Sequence, residues 1–208
     1  MITKDNHFLI ILSAPSGGGK STILNEVLKV AEDIDYSVSY TTRKPRGTEQ
    51  NGIHYHFVTE EEFQKRISEG DFLEYANVFG NWYGTSKSFI RNRLAVKHHV
   101  ILDIDVQGAS LISSTDIPYV KIFILPPSME VLHQRLVLRA TDSEEEIAKR
   151  LQIAKEEVAF IPQYDYLVIN DKLEIAVQDV LAIIRAEENR VCRYHHPARD
   201  FISTGENR

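Results

Sequence analysis

The chain has 208 residues, 43% of them hydrophobic, and a formal net charge of −6. That is enough apolar material for one sizeable core with room for a mobile lobe. The acidic balance argues against general binding to nucleic acid or an anionic membrane, since both need a basic surface to offset phosphates. One cysteine, Cys192, excludes an intrachain disulfide, and the early apolar run FLIIL at 8–12 is too short to cross a bilayer and lacks a signal-peptide cleavage pattern. The expectation is a soluble cytoplasmic protein.

Residues 7–13 read as a buried strand and 21–31 as a helix, with Ile23, Val27 and Leu28 at helical spacing. A short strand is expected at 36–40. The composition then shifts to TTRKPRGTEQNG at 41–52, polar and basic, with Asn51-Gly52 predicting a tight turn into a strand at 53–58. Thr59 and Glu62 have the spacing of a capping box for a helix through about Ser68. A strand is predicted at 72–79, a turn at GNWYG (80–84), and a helix at 87–97 capped by Ser86. HVILDID at 99–105 reads as a buried strand ending in acids, and 120–125 as another, stopped by Pro126-Pro127. Helices are predicted at 128–139, from the Ser143/Glu146 cap to about 161, and over 173–194, with a short strand at 166–169.

Alternation of strands and helices predicts an α/β fold with a parallel sheet flanked by helices. The segment 36–88 breaks that rhythm and reads as an inserted lobe. Residues 1–35 and 89–194 are then the core, with a polar tail at 195–208.

SAPSGGGKST at 13–22 lies between an apolar strand and a helix, the context of a phosphate-binding loop. Gly17, Gly18 and Gly19 let the backbone turn its N–H groups inward, and the helix that follows adds its positive end. Lys20 can reach the β- and γ-phosphates of ATP, and Ser21 can ligate Mg²⁺. Ala14 stands where the pattern usually opens with glycine, which costs little if its φ is negative. Ala14, Pro15, Ser16 and Thr22 complete the candidate ATP-binding segment.

Asp103 and Asp105, two apart at a strand end, point to one side, beside the place where ligands sit in open α/β sheets. Asp103 could hold Mg²⁺ through water, or substrate. The alternative is that one carboxylate, Asp105 more than Asp103, merely caps the helix that starts near Gln107. In the inserted segment Arg43, Lys44 and Arg46 cluster, followed by Tyr55 and Tyr83; arginine forks and tyrosine hydroxyls suit a phosphate monoester. Glu74, in DFLEYA, falls on the same side of its strand as Phe72. A carboxylate there can accept from guanine N1–H and N2–H₂, whereas adenine would leave it unpaired.

The stretches SVSYTTRKPRGTEQNGIHYHF (37–57), GDFLEYANVFGNWYGTS (70–86), VILDIDVQG (100–108) and RLVLRATDSEEEIAKRL (135–151) together resemble guanylate kinase, to about residue 190. The resemblance implies a P-loop NTPase-type core, a small α+β GMP-binding lobe and a helical lid at about 136–150. It implies MgATP as phosphoryl donor and GMP, with dGMP, as acceptor. On it, Ser39, Arg43, Arg46, Tyr55, Glu74, Tyr83, Thr85 and Asp103 line the GMP site. Arg43, Arg46, Tyr55 and Tyr83 hold its phosphate, while Ser39 and Glu74 read the base. Arg135, Arg139 and Arg150 match lid arginines that close on the ATP phosphates and act with Lys20 and Arg43 in catalysis; Asn170, in VIND, matches a residue near the adenine. The family's lid often has glycine where this chain has Ala140. No nucleic-acid or membrane partner is implied, and the state is monomer or homodimer.

Two rival functions remain at this level: a phosphotransferase with another acceptor, and a scaffold module that binds phosphorylated peptides. Glu74 with Ser39 and Tyr83 speaks against the first, and the intact GGGKST with the lid arginines against the second. The pairs His54/His56, His98-His99 and His195-His196 lack convergent acids or cysteine at ligand spacing.

Overall fold

The structure is a computed structural model, and it describes residues 3–4, 6–78, 80–112, 115–138 and 143–195. The chain opens with β1 (Thr3–Lys4), β2 (Leu9–Ser13), α1 (Lys20–Val30) and β3 (Ile34–Tyr36). It continues through β4 (Tyr40–Thr41), β5 (His56–Phe57), α2 (Glu60–Ser68), β6 (Phe72–Val78) and β7 (Asn81–Ser86). Then come α3 (Lys87–Ala95), β8 (His99–Asp103), α4 (Val106–Leu111), β9 (Tyr119–Leu125), α5 (Met129–Leu138) and α6 (Glu144–Val158). The described chain closes with β10 (Tyr166–Ile169), α7 (Leu173–Glu188) and β11 (Tyr194–His195), which pairs with β1.

Five strands form a parallel sheet in the order β10-β9-β2-β8-β3. All five residues of the central strand β2 are buried, as a strand covered on both faces requires. Alternation divides them. Ile10 and Leu12 join Ile23 and Val27 of α1 and Val177, Val180 and Ile184 of α7 on one face. Leu9 and Ile11 join Ile90 of α3, Val100 and Leu102 of β8, and Ala109 of α4 on the other. Each such aliphatic side chain contributes about 1.5–3 kcal/mol on full burial. A third cluster, Leu132, Leu136, Ile147 and Ala154, packs α5 against α6.

A second sheet, β5-β4-β7-β6, lies wholly within residues 40–86. Here the sequence reading needs correction. The strand expected at 36–40 is two strands: β3, on the edge of the parallel sheet, and β4, in the second sheet. The strand expected at 53–58 is reduced to His56–Phe57. The turn expected over 80–84 is mostly strand: β7 pairs with β6 from Asn81 on, and only Gly80, at φ 80°, turns the chain. Gly84 serves packing instead, since a methyl group on it would lie 2.9 Å from Phe72 Cδ1. The last long helix stops at Glu188, because Arg190 is extended and a short 3₁₀ turn follows. The strand expected at 99–105 ends at Asp103.

The caps follow the sequence more closely. Ser143 and Glu146 form a full capping box on α6, Thr59 accepts from Glu62 N–H on α2, and Ser86 accepts from Phe89 N–H on α3. The passage from β7 into α3 has no loop. Asp71 clamps it, accepting from Ser88 N–H at 3.0 Å, from the Ser86 hydroxyl, and from Arg66 Nη1 at 3.0 Å. Among the described residues no helix is long and apolar enough to cross a membrane.

Candidate active site

The phosphate loop leaves the carboxyl end of β2 at the middle of the parallel sheet, where open α/β sheets bind ligands. Gly17 and Gly19 adopt φ of 90° and 94°, a region closed to ordinary side chains. Ala14 does not share it: among the described residues the one non-glycine with positive φ is Lys97. The alanine therefore fits without strain. A methyl on Gly17 would lie 2.9 Å from Leu136 Cδ2, so α5 packs directly on the loop.

Asn170 is buried after β10, and its Nδ2 donates to Gly18 O at 2.8 Å. Its own backbone oxygen accepts from Arg135 Nη2 at 2.8 Å. The other terminal nitrogen of Arg135, Nη1, is buried without a partner among the described residues. An unpaired guanidinium N–H on a cleft shared with Gly17, Gly19 and Thr22 is suited to an anion. Arg150, on α6, reaches Ser16 Oγ at 3.4 Å. Arg139 and Ala140 lie outside the described residues.

Lys20 opens α1, and its Nζ donates to Ile104 O at 3.2 Å and lies 3.9 Å from Asp103 Oδ2. Burial lowers its pKa, while Asp103, Asp105 and Glu157 oppose the shift. The two acids after β8 have separate duties. Asp105 Oδ1 accepts from Gly108 N–H at 2.7 Å and caps α4. Asp103 stays at the strand end, with Oδ2 toward Lys20 and Oδ1 accepting from the Tyr36 hydroxyl at 2.7 Å. Ser21 is exposed one residue beyond Lys20. Its hydroxyl and the Asp103 carboxylate are hard oxygen donors of the kind Mg²⁺ prefers.

On the far side of Asp103 lies a second cavity, lined by Ser39, Tyr55, Glu74, Tyr83, Asp103 and Asp105, with Ala76, Val78 and Gly108 among the smaller walls. Alternation along β6 places Glu74, Ala76 and Val78 on this wall. Glu74 is buried, and Thr85 donates to its Oε1 at 2.5 Å. Burial pushes its pKa up to about 7; the Thr85 donor opposes this and Asp105 adds to it.

Arg43 is buried beside the cavity, its guanidinium 5.3 Å from the Tyr55 ring centre. Tyr55 meets Tyr83 edge-on at 5.9 Å. Glu49 binds both terminal nitrogens of Arg43 at 2.9 Å. Arg46 is exposed, and its backbone N–H donates to Glu49 Oε2 at 2.7 Å. Neither arginine is on the cavity lining itself, and Thr85 enters through Glu74. Glu49 and Tyr36 escaped the reading of the sequence. Glu49 left a signal, as the only acid in TTRKPRGTEQNG, whereas Tyr36 left none, because its partner is 67 residues away.

The histidine reading also needs correction. Asp33 and Glu188 do converge on His99. The ring is nevertheless spent: Nδ1 accepts from Phe8 N–H at 3.3 Å, which leaves the proton on Nε2, 3.0 Å from Glu188 Oε1. The lone pair on Nδ1 is taken by the Phe8 N–H, so none faces the two acids.

Residues 6–187 match the family model for guanylate kinase. The chain is 48% identical over 198 residues to the guanylate kinase of Methylobacillus flagellatus, covering 93% of this chain and 98% of that protein. It is 48% identical over 193 residues to the guanylate kinase of Clostridium perfringens, covering 92% and 89%. The crystal structure of guanylate kinase from Anaplasma phagocytophilum superposes with a TM-score of 0.77 at 33% identity, covering 99% of this chain and 97% of that one.

Proposed function

Because the chain belongs to the guanylate kinase family, and so to the nucleoside monophosphate kinases, we propose that it transfers the γ-phosphoryl of MgATP to GMP, and to dGMP, giving ADP and GDP in cytoplasmic purine nucleotide metabolism. The observation that carries the acceptor's identity is Glu74. A buried carboxylate with one oxygen held by Thr85 keeps its other oxygen for donors, and guanine offers two on one edge. A base without them leaves a buried acceptor unpaired, which costs about 1–3 kcal/mol.

On this reading Ser39 and Glu74 recognise the base, and Arg43, Arg46, Tyr55 and Tyr83 hold the phosphate. Within the segment 36–88 the β4–β7 unit acts as the acceptor lobe, since Tyr36 belongs to the parallel sheet, and the α5–α6 segment acts as the lid. The acceptor phosphate, with a second pKa of about 6, is largely ionised at neutrality and needs no general base. Catalysis is then alignment and charge stabilisation. Asp103 lines the acceptor cavity while its Oδ2 faces Lys20 of the loop, so the two phosphate sites adjoin across one contact. Lys20, Arg135 and Arg150, with Arg139, offset charge on the transferring group. The Ser21 hydroxyl and, partly through water, Asp103 would hold Mg²⁺, which supplies further positive charge to the ATP phosphates when bound.

The test is ADP formation from MgATP with GMP, dGMP, AMP, CMP and UMP offered separately, beside a control without acceptor. Rapid release with GMP, slower with dGMP and background otherwise is the expected pattern. Equal rates with AMP would remove Glu74 from base recognition. No rate with any of the five would overturn the acceptor assignment.

A further inference from the structure

We propose that Glu49 is a positioning residue for phosphoryl acceptance: it holds the Arg43 guanidinium so that one hydrogen-bonding edge remains for the acceptor phosphate. The inference rests on the GMP kinase reading above.

A guanidinium has five N–H bonds on three edges. In Arg43 the end-on edge is filled, with Nη1 donating to Glu49 Oε2 and Nη2 to Glu49 Oε1, each at 2.9 Å. The second N–H of Nη1 goes to Lys44 O at 2.8 Å. What remains is the Nε–H and the outer Nη2–H, two parallel donors on one edge, the geometry that takes two oxygens of a phosphate. Tyr83 lies near Arg43 and lines the acceptor cavity. The rings of Tyr55 and Phe57 lie against the guanidinium at 5.3 Å and 5.8 Å, limiting its tilt.

The competing reading is that the Glu49 carboxylate stands in for the phosphate and leaves when GMP arrives. The loop speaks against it. Glu49 is tied into its own turn, its N–H donating to Arg46 O at 3.0 Å and its Oε2 accepting from Arg46 N–H at 2.7 Å. Leaving would break the turn that carries Arg46 as well as the pair with Arg43. Glu49 is also held well below the ordinary carboxylate range, at about 2, first by Arg43 and then by the Arg46 N–H, so it stays ionised at any working pH.

The two readings differ in sign. In Glu49→Gln the amide has one acceptor and turns an NH₂ toward a donor, so the brace is lost. The brace predicts a KM for GMP raised about tenfold, with kcat at saturating GMP, KM for ATP and melting temperature little changed. In an Arg43→Lys background the same substitution should add less than about twofold, since lysine has no fork to brace. Unchanged or tighter GMP binding would overturn the proposal in favour of the stand-in. An undiminished effect in the lysine background, or a loss shared by ATP and melting temperature, would overturn it in favour of loop support alone. A wild-type chain that does not phosphorylate GMP would instead defeat the functional reading, and this inference with it.

Discussion

On the proposed function, Glu74 gives the acceptor cavity a pH dependence whose sign follows from its burial. Its pKa is near 7, so below that a proton occupies the oxygen that guanine donors need. The KM for GMP should fall as pH rises from about 6 to about 8 and then level off, with a proton released on binding near pH 7. The GMP phosphate titrates too, but Glu74→Gln keeps that step and loses the one near 7, which separates them. The variant should bind GMP about 10- to 100-fold more weakly by steady-state KM. It should not melt lower at pH 8: a carboxyl whose folded pKa lies above its unfolded value destabilises the fold once ionised, and the amide removes that cost. Lys20→Ala should lower kcat about 10²- to 10³-fold while GMP affinity in a binding titration stays within a few-fold. The alternation in DFLEYA misplaces Phe72: the bulge between Phe72 and Glu74 turns Phe72 toward Phe63 and Gly84, away from Glu74. GGGKST was legible because its signal is local and carries its own loop. The division of labour between Asp103 and Asp105 was not. It depends on Tyr36 and Lys20 meeting the first, and on a helix start that brings Gly108 N–H to the second.

Among the elements, α6 depends on its first turn. The Ser143–Glu146 box satisfies N–H groups that otherwise have no partner, and three glutamates favour the positive helix end. Ser143→Ala should cost about 1 kcal/mol, seen as faster amide exchange in the first turns of α6. Because Arg150 reaches Ser16 from this helix, KM for ATP should rise while KM for GMP does not. Elements with caps at both sequence and structure level were readable for the same reason. GNWYG was not: two glycines look like punctuation, yet only Gly80 turns, and Gly84 is small because Phe72 and Phe63 pack over its strand. The end of α7 was missed because Val191, apolar and in phase, is 79% exposed beyond the last helical turn.

For the whole molecule, alternation of strand and helix sufficed to indicate the parallel sheet, since β2, β8 and β9 each carry an apolar run, even though Lys121 is buried within β9. The second sheet was harder, because the chain changes sheets between Tyr36 and Tyr40, within a stretch whose alternation is continuous. Ligand should stabilise both units together. GMP at a hundredfold excess over its Kd adds about 2.7 kcal/mol, which for a chain of this size raises Tm by about 5–10 °C. AMP at the same concentration should leave Tm unchanged in a thermal scan.

The clamp at Asp71 has a mechanical consequence. Ser86 is both the last residue of β7 and the cap of α3, and Asp71 fastens the strand side to Ser88 on the helix side. The return crossing between the sheets therefore has no slack. Any swing of the β4–β7 unit transmits torque to α3, whose Ile90 is seated in the core beneath β8. On the proposed function, the stiffness of this serine–aspartate joint, rather than the length of a linker, would limit how far the acceptor lobe pivots against the core.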